Sequence, residues 1–255
     1  MATVPAADQA LRILDYLGRQ AGPVGAAALA RDLALPRSTA YHLLGTLAER
    51  NYVTRLPDEQ RWALGLAAYE LGTGYTRQAP LARVARVPLA DLVDRTGHTA
   101  HLAVLHGNEV VYVLEERAPG RPPLITDVGV RLPAHLTASG RAMLAQLPGA
   151  QICALYPDAS AFVDRTGDGP RSVSALRVLL AETRRRGHAQ ESGEVSPGFS
   201  SIAVPVHDHS GRPTAAVAAT FPIDAVTDDE RGRIAGAVRH AAATVARRVY
   251  GRPAR

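Results

Sequence analysis

Aliphatic residues recur at helical spacing along residues 36–52, PRSTAYHLLGTLAERNY, and predict an amphipathic helix that begins near Ser38. The side that this spacing buries consists of Ala40, Leu43, Leu44 and Leu47. The opposite side consists of Ser38, Thr39, Tyr41, His42 and Thr46. Small hydroxyls, an aromatic ring and an imidazole on one face are typical of a recognition helix in the major groove of DNA. An ordinary surface helix shows the same stripe, so the neighbouring segments decide between the two interpretations.

Two predicted helices precede this segment. Apolar residues at helical spacing indicate helices over residues 8–20 and 25–33. Pro36 disfavours a helical conformation in Leu35, and the hydroxyls that follow it are able to cap the start of the third helix.

A predicted hairpin follows the third helix. Runs of β-forming residues at 52–55 and 61–64 enclose the polar segment 56–60. Three helices followed by a hairpin indicate a winged helix-turn-helix, whose wing would bring Arg55 and Arg61 near phosphate or the minor groove. A winged helix that docks on another protein is the alternative.

The chain beyond the hairpin mixes helical and β-type patterns. A joining helix is predicted over residues 66–79, where Gly72, Gly74 and Pro80 mark its end. Further helices are predicted over residues 81–95, 137–147, 172–186 and 227–250. Strands are predicted over residues 98–105, 109–115, 201–206 and 214–221. The expected division is a DNA-binding domain at 1–65, a linker helix at 66–79 and a second domain at 80–255.

Several segments resemble the IclR family of bacterial transcription regulators. In the first part of the chain these are ALRILDYL, LALPRSTAYHLLGTLAERNYVTR and WALGLAAYELG. The resemblance continues in RLPAHLTASGRAMLAQL and SPGFSSIAVPVHDHSGRPTAAVAATFP, so it covers nearly the whole chain. It implies an α+β protein in which an N-terminal winged helix-turn-helix is joined by a helix to a C-terminal, GAF-like mixed α/β effector domain.

The resemblance also implies the partners. The expected protein is a homodimer or a dimer of dimers that binds double-stranded DNA at a roughly palindromic operator, because two reading heads double the contacts. We expect a sequence-specific regulator, a repressor, whose DNA binding responds to a small organic acid. An activator that stays on DNA and changes shape with its ligand is the alternative within regulation.

The residues expected to contact DNA lie on the third helix and the wing. They are Arg37, Ser38, Thr39, Tyr41, His42, Arg55 and Arg61. Arg37 is expected to hold phosphate, a contact that positions the helix without reading sequence. His42 stands where family members commonly carry Arg, and neutral imidazole cannot form the bidentate pair that Arg makes with guanine. For Tyr41 the alternative is packing against the wing.

The effector pocket implied by the family lies between the start of the helix at 137–147 and the last strands. A helix N-terminus offers unpaired N–H groups that suit a carboxylate. The residues matched to this pocket are Thr137, Ala138, Ser139, Glu191, Phe199, Ser201 and Thr220. Ala218 replaces a serine that relatives often carry there. The alternatives are plain helix capping by Thr137 and Ser139, and solvent exposure of Ser201 and Thr220.

Charge and composition change this interpretation little. The net charge is +5, but residues 1–79 hold eight Arg and seven acidic residues, so the excess is not concentrated where DNA would bind. The single Cys153 excludes an internal disulfide framework. The first residues carry no signal-peptide pattern, and no apolar run reaches the roughly 20 residues of a membrane helix. A cytoplasmic protein without a membrane partner is expected.

An enzyme is the rival class. Ser139, Asp127 and His135 form a conceivable catalytic set. However, no G-x-S-x-G elbow, P-loop or dinucleotide fingerprint is present, so no catalysis and no cofactor are expected. His101 and His135 lack further ligands at metal-binding spacing and are interpreted as surface residues, and the turn at 207–209 is interpreted as exposed.

Overall fold

Helices at the start of the chain surround a small apolar core. In this computed structural model, which describes residues 4–71, 80–120 and 124–251, the chain divides into two units, Met1–Ala79 and Pro80–Arg255. The first unit contains helices α1 (Pro5–Gly18), α2 (Ala26–Asp32) and α3 (Arg37–Glu49). Their apolar stripes meet at Ile13, Leu29 and Leu44, which have no exposed surface.

The helix at 36–52 is confirmed, with two differences. Ala40 and Leu44 are fully buried, whereas Leu43 and Leu47 are only half-buried against the core. The expected side-chain cap is wrong: Pro36 is the N-cap residue, and no side chain caps the helix. The ring of Pro36 already fixes the backbone angle φ needed at a helix start.

A three-stranded sheet follows the helices. Strands β2 (Val53–Leu56) and β3 (Arg61–Leu64) form the predicted antiparallel hairpin. A short strand β1 (Val24–Gly25), which the sequence analysis missed, pairs with the outer side of β3. Two residues are too few to show an alternating pattern.

The chain leaves the wing through a close backbone contact. A Cβ atom on Gly65 would lie 2.2 Å from the carbonyl oxygen of Asn51, so only glycine fits there. Residues 66–71 then form helix α4. The rest of the predicted linker helix, with Gly72 and Gly74, lies outside the described residues.

The second unit is built on a six-stranded antiparallel sheet. Its strands are β4 (Thr99–His106), β5 (Glu109–Glu116), β6 (Arg131–Pro133), β7 (Ala189–Ser192), β8 (Phe199–His207) and β9 (Pro213–Pro222). Their order across the sheet is β6-β5-β4-β9-β8-β7. The four long strands correspond to predicted strands, but β6 and β7 were missed because each has only three or four residues.

Helices cover both faces of this sheet. Helices α5 (Pro80–Thr96) and α9 (Asp228–Tyr250) pack on one face. Helices α6 (Ala138–Leu144), α7 (Gly149–Leu155) and α8 (Val173–Arg186) pack on the other. The predicted capping box of Thr227 and Glu230 is present at the start of α9.

Helix α6 is held against the segment that precedes it. A Cβ atom on Gly140 would lie 2.1 Å from the carbonyl oxygen of Ala134, which explains the glycine one turn into the helix. The architecture confirms the predicted α+β class, with an N-terminal winged helix-turn-helix and a C-terminal mixed α/β domain.

Candidate DNA-binding surface and effector pocket

The outward face of α3 carries unused polar groups. Arg37, Ser38, Tyr41 and His42 are exposed and Thr39 is half-buried. Within the described residues, none of these five side chains makes a hydrogen bond or ion pair. Because Pro36 caps the helix without a side-chain contact, the hydroxyls of Ser38 and Thr39 keep their donors and acceptors for an external partner.

Tyr41 is not buried. It is 54% exposed, so part of its side chain is available at the surface. The Thr46 hydroxyl donates a hydrogen bond to the backbone carbonyl of His42 at 3.1 Å. The imidazole of His42 takes no part in this bond.

The two arginines of the wing lie on opposite faces of the hairpin. Arg55 pairs across the strands with Trp62, and Arg61 pairs with Leu56. Cross-strand partners share a face while successive residues alternate, so Arg55 and Arg61 point to different sides. Arg55 also donates a hydrogen bond to the side chain of Gln60 at the tip.

The seven residues matched to an effector site surround one pocket of the second unit. The pocket holds about 410 Å³ of space free of protein atoms, part of it open to solvent. Thr137, Ala138, Ser139, Glu191, Phe199, Ser201 and Thr220 all line it, and Ala218 lies in its wall. It also contains residues that the sequence analysis did not assign to it: His101, Tyr112, Leu124, Ile125, Thr126, Val195 and Ser196.

Strand register explains how distant residues reach this pocket. Glu191 of β7 pairs with Ser201 of β8, and Ser201 pairs with Thr220 of β9. One step along the same face, Ala218 pairs with His101 of β4. The strand floor of the pocket is therefore two adjacent rows of cross-strand neighbours, all on the face that α6 covers.

The hydroxyl row leads to a buried carboxyl group. The Ser201 hydroxyl donates to Glu191 Oε1 at 2.7 Å, and its oxygen lies 3.0 Å from Thr220 Oγ1. Glu191 is only 4% exposed, and its Oε2 is buried without a hydrogen-bond partner among the described residues. Ser201 and Thr220 are thus half-buried and line the pocket.

The environment of Glu191 favours its neutral form. Burial raises the pKa of this carboxyl group to about 7, and nearby Glu194 adds to the rise. The Ser201 hydroxyl, the positive charge of Arg141 and the Val195 N–H act in the opposite direction, since all three favour the charged form. Glu191 therefore changes its protonation state close to neutral pH.

A buried arginine lies behind the pocket, where two backbone carbonyls and a carboxylate hold its guanidinium. Arg141 is 2% exposed and donates hydrogen bonds to the carbonyls of His135, at 2.8 Å, and Gln190, at 3.1 Å. It also forms an ion pair with Glu194. Its guanidinium does not line the pocket.

The interpretation of His101 as a surface residue is wrong. Its side chain is fully buried, and Nε2 lies 2.8 Å from Thr126 Oγ1 and 3.4 Å from Glu115 Oε2. The contact with Thr126 holds the segment 124–126 over the pocket. An alternating strand pattern cannot reveal this contact, because Thr126 lies outside the sheet.

His135 is also buried, and the conceivable catalytic set does not assemble. Its Nε2 lies 3.0 Å from the carbonyl oxygen of Val163, and its ring packs against Tyr156 and Phe162. Burial lowers the pKa of His135 and favours the neutral imidazole. Asp127 is exposed and accepts a hydrogen bond from the backbone of Val128. Neither contact presents a base to Ser139.

The turn after β8 is less exposed than expected. His207 is half-buried at the end of the strand, and only His209 is exposed. Within the described ranges, no three His, Cys, Asp or Glu side chains are grouped to hold a metal ion. No helix in those ranges is long and apolar enough to cross a membrane.

Comparison with known proteins gives a consistent result for both units. The family model described as "IclR helix-turn-helix domain" matches residues 6–57, and "Bacterial transcriptional regulator IclR C-terminal" matches residues 73–247. The chain is 31% identical to the HTH-type transcriptional regulator XynR of Escherichia coli, over 90% of this chain and 91% of that protein.

Solved structures share the fold. A regulator from Silicibacter is 26% identical with a TM-score of 0.85, and the match covers 98% of both chains. An IclR homologue from Microbacterium hydrocarbonoxydans, solved with 4-hydroxybenzoate, is 24% identical with a TM-score of 0.79, over 96% of this chain and 98% of that one.

The pKa of Glu191 predicts a pH-dependent stability. Its ordinary value of 4.5 rises to about 7 in the folded chain, so the folded state holds the proton more tightly than the unfolded state. Stability is therefore lost as the pH rises through this window. We expect Glu191→Gln to raise the free energy of unfolding by up to roughly 3 kcal/mol at pH 8 and by less than about 1 kcal/mol at pH 5.

Urea unfolding followed by circular dichroism at the two pH values measures this difference. Glu109→Gln is the matched control, since Glu109 lies on β5 but does not line the pocket. An equal effect of Glu191→Gln at both pH values would contradict the assignment.

Proposed function

The chain belongs to the IclR family of bacterial transcriptional regulators and is a DNA-binding regulator rather than an enzyme, and we propose that it is a repressor released from its operator by a small organic acid. It acts in the cytoplasm, where the bacterial chromosome lies. The observation that supports the DNA-binding surface is the outward face of α3, where five polar side chains make no hydrogen bond or ion pair within the described residues.

DNA recognition divides between positioning and reading. Arg37 stands at the entrance of α3, where a guanidinium reaches phosphate, and this contact sets the register of the helix. Ser38, Thr39 and Tyr41 face the base edges with hydroxyls that donate or accept. His42 reads more weakly than an Arg would, because neutral imidazole offers a single donor and a single acceptor.

The wing supplies further phosphate contacts. Arg55 and Arg61 lie on opposite faces of the hairpin, so each reaches a different side of the groove that the wing enters. Both contribute charge rather than sequence information.

Substitutions on α3 separate these roles. We expect Arg37→Ala to weaken binding to operator and to random DNA alike, and to reduce the salt dependence of binding by about one phosphate contact. Thr39→Ala should weaken operator binding by roughly 1 kcal/mol and leave random DNA unaffected. Fluorescence anisotropy with the gene's own upstream region, at several salt concentrations, measures both.

The control is Arg19→Ala, an exposed arginine at the end of α1 in the same unit. If both α3 variants bound like wild type, α3 would not be the recognition helix.

We propose a two-fold dimer, or a dimer of dimers, on a roughly palindromic operator. Helix α4 supports an interface, since Leu66, Tyr69 and Leu71 are each more than three-fifths exposed, at 66%, 69% and 64%. Three large apolar side chains exposed within six residues favour contact with another protein surface. A second copy satisfies this need and doubles the DNA contacts.

Introducing a charge into α4 tests the dimer. Leu66→Asp should shift the chain towards monomer in sedimentation velocity over a range of concentrations. Val178→Asp, at an aliphatic side chain of α8 that is 60% exposed, should leave the distribution unchanged. If Leu66→Asp gave the same distribution of monomer and dimer as Val178→Asp, α4 would not be part of the interface.

The effector proposal is supported by the pocket. The backbone N–H groups of Ala138 and Ser139 lie in the first turn of α6 and have no intrahelical partner, so they can donate to a carboxylate. Ser201 and Thr220 offer hydroxyls from the opposite wall. The acid changes DNA binding only if it binds the DNA-competent and DNA-incompetent arrangements unequally.

A thermal-shift screen tests the effector class. We expect some of acetate, lactate, benzoate and 4-hydroxybenzoate to raise the melting temperature, because ligand that binds only the folded chain stabilises it. Glu191→Ala should abolish the shift, whereas Glu109→Ala should retain it. Full retention by Glu191→Ala would remove Glu191 from the site.

The same acid distinguishes the mode of regulation. Added to the DNA complex, it should release a repressor from the upstream fragment and relieve repression in transcription in vitro. An acid that activates transcription while the protein stays bound would instead identify an activator.

A further inference from the structure

The proposed effector pocket contains the carboxyl group of Glu191, whose side chain reaches into it from β7. Among the described residues that line it there is no Arg or Lys. The carboxylate of a ligand and an ionised Glu191 in the same small pocket would repel each other strongly, even at the effective permittivity of a protein site. An organic anion therefore cannot share the pocket with an ionised Glu191 without a compensating positive charge.

The groups around Glu191 do not supply that charge. From β5, Tyr112 faces it with a phenol whose pKa burial raises well above the ordinary value, so the phenol stays neutral. From β8 and β9, Ser201 and Thr220 contribute only hydroxyls. From the following loop, Glu194 adds negative potential and Val195 adds one N–H.

Two further side chains near the pocket already have partners. The guanidinium of Arg141 of α6 is held by two carbonyls and Glu194 behind the pocket wall, and its charge lowers the pKa of Glu191 without cancelling the effect of burial. His101 of β4 contacts Thr126 and the carboxylate of Glu115 through Nε2, and its Nδ1 is buried without a hydrogen-bond partner among the described residues. Arg117 is a second partner of Glu115.

We propose that the pocket binds an organic anion together with one proton, and that Glu191 carries this proton. This inference rests on the proposed organic-acid effector. Glu191 Oε1 already accepts the Ser201 hydroxyl, whereas Oε2 is buried without a partner. A proton taken from solvent onto Oε2 removes the repulsion and turns this oxygen into a donor towards the carboxylate of the ligand.

The pH dependence follows in sign and size. Burial already raises the pKa of Glu191 to about 7, and a bound anion raises it further. Below pH 7 the proton is mostly present before binding, so affinity is nearly independent of pH. Above pH 7 Glu191 must take up a proton from solvent whenever an anion binds. The dissociation constant of the anion should therefore rise about fivefold from pH 7 to pH 8.

Isothermal titration calorimetry of the full-length protein measures the proton directly. The acid from the panel that binds most tightly is titrated at pH 6, 7 and 8, each in two buffers of different ionisation enthalpy. We expect an uptake of about 0.1, 0.5 and 0.9 protons per ligand at the three pH values.

Two variants identify the group that takes the proton. Glu191→Gln places an amide N–H donor where the protonated carboxyl would be, so it should still bind the acid, without proton uptake and with the same affinity from pH 6 to pH 8. Glu109→Gln should behave like wild type. If Glu191→Gln binds the acid with undiminished proton uptake, the proton is on another group and the inference is wrong.

The other results separate the inference from the proposed function. An acid that binds wild type with constant affinity and no proton uptake would leave the effector class standing and overturn proton coupling. If no acid of the panel binds at any of the three pH values, the organic-acid effector itself is refuted, and proton-coupled binding with it.

Discussion

The buried guanidinium of Arg141 joins the parts that enclose the pocket. It binds the carbonyl of His135 in the segment before α6 and the carbonyl of Gln190 in β7. It also forms an ion pair with Glu194 in the loop after β7, so it connects all three segments. Removing one partner from such a buried network leaves polar groups unpaired, which is strongly destabilising. Because these contacts hold the guanidinium behind the pocket wall, Arg141 is not among the described residues that line the pocket. Burial makes the ionised form of Glu191 unfavourable, whereas the charge of Arg141 acts in the opposite direction.

The pocket of the second unit presents two kinds of polar group. N–H donors of α6 lie on one side, and a carboxyl group that ionises near neutral pH lies on the other. The segment 124–126 forms part of the pocket wall, where Thr126 contacts His101. A ligand that binds two arrangements of the protein unequally shifts the equilibrium between them.

Sequence reasoning found the parts of the molecule that carry strong local patterns. The stripe of α3, the hairpin, the long strands and the capping box of α9 all follow from spacing within one segment. The seven residues named from the family resemblance line one pocket, whereas the interpretation of His101 as a surface residue is wrong. Its burial depends on pairing with β9 and on Thr126, and neither contact is encoded within β4 itself.

The charge of the first unit limits how it can bind DNA. With eight Arg and seven acidic residues in 1–79, no broad positive field attracts the duplex. Affinity for DNA must then come from a few well-placed guanidinium groups, and we propose Arg55 and Arg61, on opposite faces of the wing, as two of them. A single unit with so few phosphate contacts would bind weakly at physiological salt. The dimer proposed above would double these contacts, so dimerisation would serve affinity as well as specificity.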